Sequence, residues 1–164
     1  MINQREFAKF VLLSIVTCGI YAIIFYYKMV KDINKLCEGD GESTKDFIIT
    51  ILLTIVTCGI YYLIWVYKLG NRLQKNGPRY NLTFTKNGTL FLLITVVGML
   101  LSGSSAFSIQ TGFNIFVNGI SLLGAAAAFV VAYFVIEEVN AMANAYNSFI
   151  SNNDNPENNG QMNQ

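Results

Sequence analysis

The chain has 164 residues, of which 53% are hydrophobic and 13% are charged, and its formal net charge is +1. Soluble domains carry about 25% charged residues, so this composition excludes an ordinary water-soluble fold and indicates a membrane protein. The near-neutral charge gives no basis for nucleic-acid binding, and three cysteines without a histidine do not form the disulfide framework of a small secreted protein.

The first half of the chain contains two copies of one unit. The heptapeptide Ile-Val-Thr-Cys-Gly-Ile-Tyr occurs at residues 15–21 and again at residues 55–61, and Tyr-Lys pairs follow at 27–28 and 67–68. The matching residues are 40 positions apart in every case, and such a constant spacing indicates an internal duplication. We assign the repeat units to residues 5–38 and 45–78.

Each unit is expected to hold one membrane span followed by a short amphipathic helix at the interface. The apolar stretches 7–27 and 47–67 would each form a straight helix of about 31 Å, close to a hydrocarbon core of about 30 Å. Their ends carry aromatic rings and a lysine, which is typical of interfacial anchors. The predicted anchors are Tyr26, Tyr27, Lys28, Trp65, Tyr67 and Lys68.

The second half predicts a helical hairpin over residues 90–136. Two apolar blocks are joined by an uncharged segment at 102–114, and the second block continues as helix to about residue 150 because its apolar face persists. The Asn-rich residues 151–164 are predicted to form a disordered polar tail. The predicted fold is all-α and polytopic: one membrane domain over residues 1–150 with about four transmembrane helices.

The distribution of charge allows two topologies for the repeats. Four spans leave more Lys and Arg on the side of the termini, so the positive-inside bias places both termini in the cytoplasm. Alternatively, each unit bends at residues 17–19 or 57–59 into a re-entrant hairpin, which puts every cation on one side. We prefer four spans, because a single glycine without proline breaks membrane helices weakly. Labelling of Cys37, in the first connection, by an impermeant maleimide would separate the two.

Small side chains at four-residue spacing favour close packing between the two copies. Such stripes let helix backbones approach each other in lipid, although the same residues would also suit a path for a solute or ion. The predicted seam consists of Ser14, Cys18, Gly19, Ala22, Thr50, Thr54, Cys58 and Gly59. A second run of glycine and alanine at 119–128 offers another smooth helix surface.

No catalytic, cofactor or metal site is predicted. The chain lacks histidine, and no acidic residue lies inside an apolar block. Cys18 and Cys58 lack the spacing of metal ligands, and Glu137 and Glu138 are expected to be solvated carboxylates at a membrane end. The basic connection at 68–86 would attract anionic lipid head groups.

Three hypotheses for function follow. The first is a non-catalytic packing or accessory module that assembles with itself or with a larger membrane partner. The second is a small channel or transporter element, because many transporters contain pseudo-symmetric repeats. The third is a re-entrant or interfacial protein that interacts with lipid.

The repeated Thr-Cys-Gly-Ile-Tyr, followed by aromatic residues and Tyr-Lys, resembles the small bacterial membrane proteins grouped as domain of unknown function 4234. The similarity covers about residues 5–146 and is most specific at 17–21, 27–28, 57–61 and 65–68. It implies a multi-pass location in the bacterial cytoplasmic membrane, and it implies no activity, cofactor or site residue.

Overall fold

Six α-helices make up most of the molecule. The structure, a computed structural model, describes residues 1–111 and 114–153. Its helices are α1 (Phe7–Val16), α2 (Ile20–Leu36), α3 (Phe47–Val56), α4 (Ile60–Asn76), α5 (Gly88–Thr111) and α6 (Asn114–Asn153), with a 3₁₀ turn at Gly77–Tyr80. No strand occurs among these described residues, so the prediction of an all-α fold is confirmed.

Each repeat unit is a helical hairpin. The first helix of each unit has 10 residues and the second has 17. Arg5, which precedes α1, forms an ion pair with Asp32 near the end of α2, and the rings of Phe10 and Phe25 lie 4.5 Å apart between centroids. The chain therefore reverses between α1 and α2. The prediction of one straight span across 7–27 and another across 47–67 is wrong, because both helices break at the repeated Thr-Cys-Gly.

The longer helices α5 and α6 approach each other through small residues. A Cβ atom added at Gly124 would lie 2.5 Å from the Gly98 carbonyl oxygen, and one added at Gly98 would lie 2.6 Å from the Ala127 Cβ. The predicted glycine and alanine surface thus packs within this chain at these positions. Because α5 continues to residue 111 and α6 begins at 114, most of the predicted connection at 102–114 is helical.

The core lies between the second helices of the two hairpins, the start of α5 and the polar half of α6. Its fully buried side chains include Met29, Val30, Ile33, Leu36, Leu69, Leu73, Phe91, Val139 and Met142. The apolar faces of α2 and α4 beyond residues 27 and 67 therefore pack against protein. The place of these extensions at a membrane interface stays a prediction.

Among the described residues, one helical segment, Leu122–Asn152, is both long and apolar enough to cross a membrane. Three shorter apolar helical segments also occur: Phe7–Val16, Phe47–Val56 and Gly88–Ser102. Four spans of full length are therefore not observed in this part of the chain. Helix α6 also includes the first three residues of the predicted disordered tail, and the remaining residues, 154–164, lie outside the described ranges.

Candidate functional site

The bend in each hairpin is made by the repeated Thr-Cys-Gly. The Thr17 hydroxyl donates a hydrogen bond to the Leu13 carbonyl oxygen at 2.7 Å and accepts one from the Tyr21 N–H at 2.9 Å. One side chain thus caps both the end of α1 and the start of α2. Cys18 and Gly19 follow with φ values of 49° and 90°, a left-handed conformation that ends helices and that glycine adopts readily.

The second copy repeats these contacts. Thr57 donates to the Leu53 carbonyl oxygen at 2.7 Å and accepts from the Tyr61 N–H at 3.0 Å. The φ values of Cys58 and Gly59 are 50° and 94°. The identical heptapeptide therefore forms the same turn in both units, and its threonine was the signal in the sequence that the prediction of a straight helix missed.

The tips of both hairpins expose apolar side chains. Six aliphatic residues flank the turns, with exposed fractions between 62% and 79%: Ile15, Val16, Ile20, Ile55, Val56 and Ile60. No Lys, Arg, Asp or Glu occurs at residues 10–27, 47–67 or 87–136, so charge is confined to the opposite end of each hairpin, called here its base. An apolar surface of this kind marks a site that contacts lipid or another protein.

The residues predicted as a small-residue seam do not form one continuous stripe. The turns contain Cys18, Gly19, Cys58 and Gly59, and both cysteine side chains are exposed. Ser14 and Thr50 are buried, whereas Ala22 and Thr54 are half-buried. Because the helices end before the cysteines, the four-residue spacing does not carry one face across the turn. Contact of these tips with another protein stays a prediction.

An aromatic cluster joins the two hairpins instead. The Tyr26 ring stacks on Phe47 at 4.8 Å between centroids, and Phe47 contacts Trp65 at 5.6 Å. Trp65 is 5% exposed, and it also stacks on Tyr62. Tyr26 and Trp65 therefore lie between the hairpins, away from the surface position predicted for them as anchors.

The other four predicted anchors lie nearer the surface of the hairpins. Lys28, Tyr67 and Lys68 are exposed, and Tyr27 is half-buried. The Lys31 ammonium lies 4.4 Å from the centre of the Tyr27 ring, within range of a cation–π interaction. These positions are compatible with the predicted role at a membrane interface.

A buried arginine organises the first connection, residues 37–46. Arg72 of α4 is 4% exposed, and its Nε and Nη2 atoms donate to the two carboxylate oxygens of Asp40 at 2.7 and 3.1 Å. The remaining guanidinium hydrogens reach Asn34, Thr44 and the Glu42 carbonyl oxygen. All five donors are thus used. The Arg72 hydrogen bonds hold the pKa of Asp40 well below its usual range.

Most of the cations in the basic connection at 68–86 form contacts with other parts of the protein. Lys75 pairs with a glutamate of the first connection at 3.1 Å, and Arg79 donates to two of its carbonyl oxygens. Lys86 pairs with Glu137 of α6. Binding of anionic lipid along this whole connection was an expectation from charge alone, and these contacts leave Lys68 as its most available cation.

An asparagine ladder on α6 holds the N-terminal segment in an extended form. The Asn140 side chain accepts from the Arg5 N–H at 2.9 Å and donates to the Arg5 carbonyl oxygen at 2.7 Å. Asn147 forms the same pair of bonds with Ile2, both at 2.8 Å. Asn140 and Asn147 are seven residues apart along the helix, a rise of about 10.5 Å. Ile2 and Arg5 are three residues apart in the extended segment, a distance of about 10 Å, so each asparagine lies opposite its partner. This contact was not predicted from the sequence.

Replacing Asn140 by alanine is expected to release this segment, because two hydrogen bonds to the backbone are lost, at about 1 kcal/mol each. Trypsin cleavage after Arg5 in the native protein should accelerate on the order of tenfold or more. Asn144→Ala is the control, since Asn144 is exposed and contacts the Gln4 side chain. Equal acceleration in both variants would contradict the ladder.

Glu138 is the buried acidic side chain of α6. It is 2% exposed, and neither carboxylate oxygen has a hydrogen-bond partner among the described residues. The expectation of a solvated carboxylate is therefore wrong for Glu138 and holds for the exposed Glu137. An unpaired carboxylate is costly to bury.

Comparisons with known proteins return one family. A family model described as Domain of unknown function (DUF4234) matches residues 5–75 and 45–140. The two matched ranges overlap and begin at the starts of the two repeat units. No curated protein matches the chain, and no solved structure does.

Proposed function

This chain belongs to the family described as Domain of unknown function (DUF4234), and because that description assigns no activity, we propose a function from the hairpins. The protein is a non-catalytic membrane protein that inserts both hairpins into one leaflet and anchors them with α5 and α6. The observation that carries this proposal is the pair of exposed apolar tips opposite charged bases.

The dimensions of the hairpins fit one leaflet. Helices α1 and α3 have 10 residues each, which corresponds to about 15 Å, half of a hydrocarbon core of about 30 Å. The tips would therefore reach about the middle of the bilayer. The backbone N–H groups at residues 17–21 are all hydrogen-bonded within the turn, as an apolar medium requires.

Helices α5 and α6 supply the membrane crossing in this proposal. Helix α5 has 24 residues, or about 36 Å, and α6 contains the segment that is long and apolar enough to cross. Two spans and two re-entrant hairpins place both termini and all 11 Lys and Arg on one side. The positive-inside rule assigns that side to the cytoplasm of the cell membrane.

Labelling of an engineered cysteine in the first connection tests this topology. Cys37 itself is buried, and burial raises the pKa of its thiol to about 11, so it is a poor target for maleimide. The exposed Ser43 is a better position. With Cys18 and Cys58 replaced by serine, Ser43→Cys should resist an impermeant maleimide in intact cells and react after permeabilisation.

Asn3→Cys is the matched control, because the exposed Asn3 precedes the first hairpin. The cysteines at positions 3 and 43 should show the same pattern of maleimide labelling if the first hairpin returns to the side of the membrane from which it entered. Labelling of Ser43→Cys in intact cells that protect Asn3→Cys would show that the first unit crosses the bilayer, and the proposal would fail.

An accessory role in a larger membrane assembly is the second candidate, because the same exposed tips would also bury against a partner protein. Quenching by lipids brominated near the chain ends separates the two. A fluorophore on Cys18 or Cys58 should be quenched strongly if the tips lie in lipid, and weakly if protein covers them. A channel or transporter receives less support, since apolar side chains fill the described core.

A further inference from the structure

Two cavities occupy equivalent positions in the repeat, one at the base of each hairpin. Their volumes are about 530 and 410 Å³. Each is lined by a cation that precedes the hairpin, and by a tyrosine and a lysine of its second helix. These residues are Arg5, Tyr21 and Lys28 in the first cavity and Lys45, Tyr61 and Lys68 in the second.

Both cavities carry the same excess of positive charge. Four cations and two carboxylates line the first, and three cations and one carboxylate line the second, which leaves a net charge of +2 in each. Within the part of the chain that the structure describes, Lys28 and Lys68 have no carboxylate within salt-bridge distance. Each cavity therefore keeps a lysine available for an anion.

Each cavity is also lined by a buried donor that lacks an acceptor. The Arg5 side chain is 10% exposed, and its Nη1 atom has no hydrogen-bond partner among the described residues. Trp65 is 5% exposed, and its indole Nε1 atom is likewise without one. A buried donor without an acceptor is costly. Both groups can only donate, so a ligand that satisfied them would have to supply acceptor atoms, as a phosphate does.

We propose that each cavity binds the phosphate of an anionic phospholipid head group. This inference rests on the proposed insertion of the hairpins, which places the bases at head-group depth. Ile24 and Ile64 line the two cavities and are 48% and 45% exposed. They give the glycerol and acyl chains an apolar surface that a free phosphate would not use. The ligand is therefore a lipid of the same leaflet.

Native mass spectrometry of the full chain in detergent tests the proposal with phosphatidylglycerol and, separately, phosphatidylcholine. Two phosphatidylglycerol molecules should bind in preference to phosphatidylcholine. Lys28→Gln and Lys68→Gln should each weaken one site about fivefold, the effect of about 1 kcal/mol per cation near a membrane surface. The double variant should weaken both sites about fivefold, and inorganic phosphate should not displace the bound phosphatidylglycerol.

Lys35→Gln is the control, because Lys35 is exposed and makes its contact with the Tyr146 ring outside both cavities. An equal loss in Lys35→Gln, or equal binding of the two lipids, would overturn the proposal. Displacement by inorganic phosphate would identify an anion site without lipid specificity and would also overturn it. Quenching of a fluorophore on Cys18 or Cys58 in phosphatidylcholine vesicles reports hairpin insertion independently, so failure of the head-group sites is distinguishable from failure of insertion.

Discussion

The Arg72→Gln variant is expected to lose about 3–5 kcal/mol of unfolding free energy, because removing one partner of a buried ion pair leaves the other charge unpaired. The Asp40 side chain is 3% exposed, and it would keep only its contact with the Asn76 amide and neighbouring backbone. Unfolding by SDS in mixed micelles measures the change. Trp65 is the single tryptophan and is buried at the junction of the hairpins, so its fluorescence follows the transition.

Lys75→Gln is the matched control, one turn further along α4. Lys75 also pairs with an acid of the first connection, but the two side chains are 61% and 52% exposed. Exposed pairs contribute about 0–1 kcal/mol. A loss in Arg72→Gln no larger than that in Lys75→Gln would show that the Arg72 network does not stabilise the fold.

The Arg72–Asp40 pair also predicts that the stability of the protein depends on pH. The pKa of Asp40 is lowered in the folded state, so the unfolded state binds more protons and the contribution to stability is complete above the ordinary value of 3.8. That contribution is lost as the pH falls below 3.8 towards the folded pKa. The difference in stability between wild type and Arg72→Gln should therefore shrink in this range. A constant difference from neutral pH to pH 2 would contradict the assignment.

Replacing both Cys18 and Gly19 by leucine is expected to destabilise the first hairpin by about 1–2 kcal/mol, because a left-handed conformation costs an L residue about that much. Cys18 already bears this cost in the wild type, so the loss comes from Gly19. A Cβ at Gly19 would meet no atom within 4 Å, so at that position the cost is conformational. The variant should also form some continuous helix from α1 into α2. In the Ser43→Cys background, part of the protein should then become labelled in intact cells.

A matched control places the same two leucines one turn earlier. Ile15 and Val16 are helical, and their exposed fractions are 65% and 76%. Leucine at both should change neither the SDS midpoint nor the labelling of Ser43→Cys. If the Cys18 and Gly19 double variant matches this control, the left-handed turn is not what bends the unit.

The helical character, the duplication and several helix ends could be predicted from local sequence. The apolar period of α2 placed Val30, Ile33 and Leu36 on one face, and all three are buried. The predicted ends of the repeat units, at residues 38 and 78, lie two residues beyond the ends of α2 and α4. These features depend on neighbouring residues and on side-chain chemistry, which a single sequence displays.

The charged contacts could not be predicted, because their partners are distant along the chain. Arg72 and Asp40 are separated by 32 residues, and Asn140 and Arg5 by 135. In the sequence each is an ordinary polar residue of a connection or a helix end. Burial selects them only after the hairpins and α6 have packed together.

The sequence by itself determined that two copies of one unit exist, that their apolar stretches are helical and that charge, apart from Lys9, lies outside those stretches. Whether each stretch is straight or bent was decided by tertiary structure. A 21-residue apolar stretch satisfies its backbone equally well as one helix or as two helices joined by a capped turn. The Thr17 cap permits the bend, and contacts at the base, among them the Arg5 ion pair with Asp32 and the stacking of Tyr26 on Phe47, favour it. Those contacts require the folded chain, because their partners meet only when each hairpin closes and the two hairpins pack together.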